Sequence, residues 1–206
     1  MTVKDIAYHR KTAQQRRAEL IAAGIACLGK GGMTAFTIDQ ICKQAGVSRG
    51  LINHHFKTKE ELLLSIYADM TDYLLRDRGR DSPLKQIAGF IDSSFDAKSF
   101  NKSNLRAWLA IWGQVATQPE LKSLHQKRYQ HYRGQLVAAI SAIAEDEQLD
   151  IDAAGVARQL IALIDGLWLE YCLHSDGFSL DDAKADCYRL LEGTGISFDK
   201  TRIAQE

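Results

Sequence analysis

Two groups of side chains in this sequence could do chemistry. In GVSRGLINHHFKTKEELL, residues 46–63, Arg49, Asn53, the neighbours His54 and His55, and Lys57 crowd one short segment. Farther along, Trp108 and Trp112 stand four apart, Trp168 and Tyr171 three apart, and Asp165 and Glu170 lie beside the second pair. The first group suits a polyanion: Arg pairs bidentately with guanine and Asn with adenine, while Lys and helix N-termini take phosphates. Adjacent histidines point about 100° apart on a helix, so His54 and His55 cannot clamp one metal ion, which needs spacing of three or four. His125 and His131, six apart, also face different ways. The second group has two readings. Aromatic walls with an acid such as Asp165 can hold a quaternary ammonium by cation–π attraction, and the same rings are what fills an ordinary helical core. Asp165, between Ile164 and Leu167, is expected to be buried and to need a partner.

Other chemistries find no support. There is no H-E-x-x-H, no serine nucleophile elbow, no dinucleotide fingerprint, and GKGG at 29–32 lacks the spacing of a phosphate loop. No catalytic residue, cofactor or metal site is therefore expected. Cys27, Cys42, Cys172 and Cys187 lie far apart and read as reduced thiols of a cytoplasmic protein. Arg16 and Arg17 before LIAAGIACLG imitate an export signal, but Glu19 interrupts the approach and Ile21, Ile25 and Leu28 recur at helical spacing. No uncharged run is long enough to span a membrane.

The elements that position these residues are helical. Prolines number only two in 206 residues, Pro83 and Pro119, and good helix formers dominate. The fold class is all-α, with about nine helices. The first runs from about Thr12 to Lys30 and stops at Gly31 and Gly32. The second covers Thr37 to Ala45, with Gly46 ready for the left-handed position that ends it. Ser48 caps a short third helix, and Thr58 caps a fourth reaching about Arg78, with Glu60 and Glu61 in its first turn. Five more follow at roughly 83–98, 102–116, 118–147, 152–175 and 180–193, with Pro83 and Pro119 in first turns. No alternating strand pattern or internal repeat is present. Residues 1–57 form a three-helix unit, and 58–206 a larger helical domain, which the resemblance given below makes the ligand-binding and dimerisation domain.

The second and third helices, joined by Gly46-Val47-Ser48, have the dimensions of a helix-turn-helix. At 100° per residue, Leu51, Ile52, His55 and Phe56 share one arc of the third helix, and Arg49, Gly50, Asn53, His54 and Lys57 the other. The first arc is core; the second is a polar, basic surface that could read a DNA major groove, with Gly50 letting the backbone approach. Thr37 and Lys59 suit phosphate contacts. Charge agrees: residues 1–60 hold ten Lys/Arg against four acids, inside a chain of net charge zero.

TIDQICKQAGVSRGLINHHFKTKEELL resembles the helix-turn-helix of the TetR family of bacterial repressors, over about residues 12–65. The resemblance implies a homodimer on a partly palindromic operator, each subunit carrying an α-helical effector domain, and its last two helices forming a four-helix dimer interface. It also marks a departure, since many members carry Tyr where Asn53 stands. RAWLAIWGQVATQPEL and ALIDGLWLEYCL are similar to segments of the choline-responsive repressors of glycine-betaine synthesis. That implies a small-molecule effector of the choline class, with Trp108, Trp112, Asp165, Trp168 and Tyr171 as its candidate contacts. An all-α enzyme turning over a small amine and a DNA-packaging protein without sequence preference are the competing readings.

Overall fold

The computed structural model describes residues 12–75, 82–96 and 100–198. Within them every regular element is helical. α1 spans Ala13–Ala35, α2 Ile38–Ala45, α3 Arg49–His55 and α4 Lys59–Thr71, followed by one 3₁₀ turn over Asp72–Leu75. α5 spans Pro83–Ser94, α6 Lys102–Val115, α7 Pro119–Glu147, α8 Ala153–Leu173 and α9 Leu180–Glu192.

Local chemistry explains most boundaries. Thr12 caps α1 in a reciprocal box, its hydroxyl accepting from Gln15 N–H (3.1 Å) while Gln15 Oε1 accepts from Thr12 N–H (2.9 Å). Gly31 and Gly32 break the helical dihedrals as expected, and a last turn then carries the chain to Ala35. Thr37, Thr58, Ser82, Asn101, Asp152 and Ser179 each accept a backbone N–H at a helix start. Pro83 and Pro119 sit in the first turns of α5 and α7.

Two expectations need correction. Ser48 occupies the position before α3 with extended dihedrals, but its hydroxyl makes no cap bond, so it does not cap the helix. The fourth helix does not continue as an α-helix to the region of Arg78. Thr71 turns its hydroxyl back onto the carbonyls of Tyr67 and Ala68 (2.6 and 3.1 Å), and Arg128 Nη1 donates to Ala68 O, Thr71 Oγ1 and Asp72 Oδ1. With those acceptors engaged, the chain tightens to a 3₁₀ turn at Asp72; Arg78 itself lies outside the described residues.

One apolar core runs from Leu20 to Ile196. α1 packs against α2, α4 and, most extensively, α6. Gly29 permits that last contact, because a Cβ there would lie 2.5 Å from the backbone oxygen of Ser103 at the start of α6. α4 touches both α1 and α7, and α8 lies among α6, α7 and α9. The N-terminal three helices thus rest on two struts, α4 and α6, that reach into the rest of the molecule.

Candidate nucleic-acid interface and aromatic pocket

The turn between α2 and α3 is closed by Gly46 in the left-handed region (φ 67°, ψ 38°), where any other side chain would be strained. The N–H groups of Gly46 and Val47 both donate to Cys42 O. Ile41, Ile52 and Phe56 are fully buried beneath the turn, and Arg17 of α1 lies 4.9 Å over the Phe56 ring while donating to Ser65 Oγ of α4. α3 is therefore held from below by three neighbouring helices.

Burial over Arg49–His55 follows the wheel; Phe56 and Lys57, expected on the same helix, lie beyond its end, where Phe56 is extended (φ −139°, ψ 119°), yet they keep the same division. Ile52 and Phe56 are buried and Leu51 and His55 half-buried, whereas Arg49, Gly50, Asn53, His54 and Lys57 are exposed. His55 loses its proton more easily than an ordinary histidine, first through burial and then through His54, so it packs as a neutral ring. His54 meets it edge-on at 5.1 Å and points outward. Thr37 caps α2, Ser48 keeps a free, exposed hydroxyl, and Lys59 is half-buried in the first turn of α4. One partner escaped the sequence reading: Asp39 of α2 takes the Arg49 guanidinium with both oxygens. Its position in the first turn of α2 had an ordinary explanation in the helix dipole.

The second group of residues surrounds a cavity of about 140 Å³ inside the C-terminal helices. Trp108 and Trp112 come from α6, and Trp168, Ile161, Ile164 and Asp165 from α8. Trp108 lies 5.7 Å from each of the other two tryptophans, ring centre to ring centre. Trp168 is fixed by donating its indole N–H to Ser94 O (3.0 Å). Tyr171, however, is not part of the wall. It meets Phe100 at a tilt (4.7 Å) and Phe178 edge-on (5.2 Å), because three residues of helix from Trp168 carry it past the cavity into the cluster under the α8–α9 loop.

Four polar rings of the lining were missed. Tyr67 of α4 bonds through its hydroxyl to His125 Nδ1 (2.7 Å) and meets Trp108 edge-on at 5.8 Å. His125, Tyr129 and Tyr132 of α7 stand beside it, and Thr71 of α4 with Phe90 and Ser94 of α5 complete the wall. The spacing of four and three along α7 puts its three rings on one helix face, a stripe that could have been read. Tyr67 could not, since its partner is 58 residues away.

Asp165 is the charged acid of the lining. Burial raises its carboxyl to about 6, and among the described residues no donor bonds to it. His125 shifts the other way, also through burial, and so stays neutral beside Tyr67. An aromatic chamber with one unanswered carboxylate is electrostatically suited to a small cation. Among the described residues no cluster of three metal-ligating side chains occurs, and no helix is long and apolar enough to cross a membrane.

Comparison with known proteins bears on both sites. Residues 20–66 match the model of bacterial regulatory proteins of the tetR family, and residues 83–195 that of the BetI-type transcriptional repressor C-terminal domain. The HTH-type transcriptional regulator BetI of Serratia proteamaculans is 33% identical over 82% of this chain and 87% of its own length. BetI 1 of Chromohalobacter salexigens is 34% identical over 86% and 89%. Among solved structures, a transcriptional regulator of Pseudomonas aeruginosa PAO1 superposes with a TM-score of 0.77 at 34% identity, covering 93% of this chain and 95% of that one. A regulator from Saccharomonospora viridis, solved in complex with choline, shares the fold at a TM-score of 0.70 and 18% identity, over 87% and 96%.

Proposed function

The chain belongs to the TetR family of bacterial regulatory proteins and is a transcriptional repressor with a BetI-type C-terminal domain; from that premise we propose that it binds its operator as a homodimer and that a quaternary ammonium compound of the choline class controls it from the aromatic pocket. The outer arc of α3 is the reading surface, with Arg49, Asn53 and His54 over base edges and Gly50 allowing close approach. Lys57, Lys59, Thr37 and the uncapped Ser48 hydroxyl take phosphates, which fix register without reading sequence.

Dimerisation is supported by α8. Its exposed side carries Ala162, Gly166, Leu169 and Leu173 at helical spacing, and Leu169 and Leu173, 42% and 63% exposed, are the large apolar side chains left to solvent among the described residues. Pairing that stripe and α9 with their copies covers it and sets two reading helices about 34 Å apart, one turn of DNA.

The observation that carries the effector assignment is Asp165, a carboxylate with no donor among the described residues, in a chamber walled by tryptophan and tyrosine rings. A trimethylammonium group has no N–H to bond, so charge and ring faces are what it needs. Occupancy is felt by both struts. Trp108 and Trp112 lie on α6, whose start presses on Gly29 of α1, and Tyr67 lies on α4, whose first turn follows α3 directly. An effector that favours one arrangement of these helices shifts the dimer away from, or towards, operator spacing, with a coupling on the order of 1–3 kcal/mol.

All three tryptophans of the chain line the pocket, so intrinsic fluorescence reports on its contents. Titration with choline is expected to change that emission saturably and to raise the melting temperature. The uncharged isostere 3,3-dimethylbutanol is expected to do neither at the same concentration. Equal binding of the isostere, or no response to choline, betaine aldehyde or other small quaternary amines, returns the aromatic group to plain core.

A further inference from the structure

Arg49 does not stand alone on the outer arc of α3. Asp39, from the first turn of α2, receives Nε–H on Oδ1 (2.6 Å) and an Nη2 N–H on Oδ2. Both side chains remain about two-thirds exposed, at 68% and 65%. An ion pair so open to water adds little to stability. A carboxylate placed on a DNA-facing surface also repels phosphates and lowers affinity for every sequence. A pair that is nearly idle for the fold and unfavourable for general DNA binding calls for another role.

The geometry supplies one. A guanidinium has two edges able to make paired hydrogen bonds: the side edge of Nε with one Nη, and the end edge of the two Nη groups. Asp39 fills the side edge. The N–H groups that remain sit on Nη1 and Nη2, and the end edge they form matches O6 and N7 of guanine. Arg is a long side chain that would otherwise lose rotamer freedom on meeting DNA, and Asp39 removes that freedom in advance.

We propose that Asp39 is a specificity-determining positioning residue, holding Arg49 so that its end edge reads one guanine in each half-site, while its own charge disfavours every sequence that does not offer that contact. The inference rests on the assignment of α3 as the reading helix.

The test uses the full chain and the variants Asp39→Asn, Arg49→Lys and the double variant, with a pool of random duplexes about three helical turns long. Bound duplexes are sequenced, and the enriched duplex is then titrated against poly(dI-dC). The parent is expected to enrich duplexes with a fixed guanine in each half. In Asp39→Asn that guanine preference relaxes, the ratio of enriched to non-specific affinity falls about tenfold or more, and non-specific affinity holds or rises. Arg49→Lys loses the same preference, and the double variant loses no more than either single one. Unchanged melting temperatures separate this from unfolding. The inference is overturned if Asp39→Asn keeps the guanine and the ratio, if specific and non-specific binding fall together, or if Arg49→Lys enriches the same duplexes as the parent. A parent that enriches no sequence would remove the reading-helix assignment as well.

Discussion

The α3 surface and the aromatic pocket are built from the same kind of element and differ in how many elements each needs. The proposed reading face is one arc of a seven-residue helix, fixed from behind and open in front. The pocket takes side chains from five helices, α4 to α8, and exists only where they pack together. Function and stability can therefore be separated on the first and are tied together in the second. Exposed Arg49, Asn53 and Lys57 touch little of the fold, whereas Tyr67, Trp108 and Trp168 are at once core residues and candidate ligand walls.

That contrast can be broken by substitution. The largest effect is expected from Trp108→Ala, which empties a site only 6% exposed. Chemical denaturation should show a loss of about 3–5 kcal/mol, with loss of choline response. Stability without response, or response without stability, would mean the rings serve only one purpose.

Asp165→Asn should split the two in the opposite sense. The folded protein holds the Asp165 proton up to about pH 6 against an ordinary 3.8, so its stability is greatest below the ordinary value and is lost as pH rises through 6. The asparagine removes that loss. Above pH 6 the variant should be more stable than the parent by on the order of 2–3 kcal/mol, converging with it towards pH 4, while binding choline far more weakly. A variant less stable than the parent at pH 8 would show that the carboxylate is satisfied in the fold.

Gly29→Ala probes the joint between the regions. The added methyl meets the Ser103 backbone, and overpacking there should cost about 1–3 kcal/mol. If α6 transmits occupancy, the same change should also alter how far choline shifts operator affinity in a gel-shift titration.

The smallest effects test the reading side. Thr37→Ala removes a cap bond and should cost about 1 kcal/mol. Ser48→Ala removes none and should stay within about 0.5 kcal/mol. Its deficit should show instead as weaker binding to all DNA, measured by fluorescence anisotropy at several salt concentrations. Equal destabilisation by both would restore Ser48 as a cap.

What the chain sequence carried on its own was local. The cap at Thr58, the helix starts near Thr12 and Thr37, the turn at Gly46, and the division of α3 into buried Ile52 and exposed Arg49 and Asn53 are set within a few residues, because a helix repeats every 3.6 positions and its ends need nearby partners. The same periodicity brought out Trp108 with Trp112. It misplaced Tyr171, since sharing a face with Trp168 does not fix which neighbour that face meets. It was silent on Tyr67 with His125, and on Asp39 with Arg49, because those pairs join different helices. It also ran the fourth helix on as α, where Arg128, from 57 residues later, takes up the carbonyl and hydroxyl that end it. Only the tertiary structure decided those features. Bonds between distant residues depend on how rigid helices stack, and stacking is settled by the whole core at once.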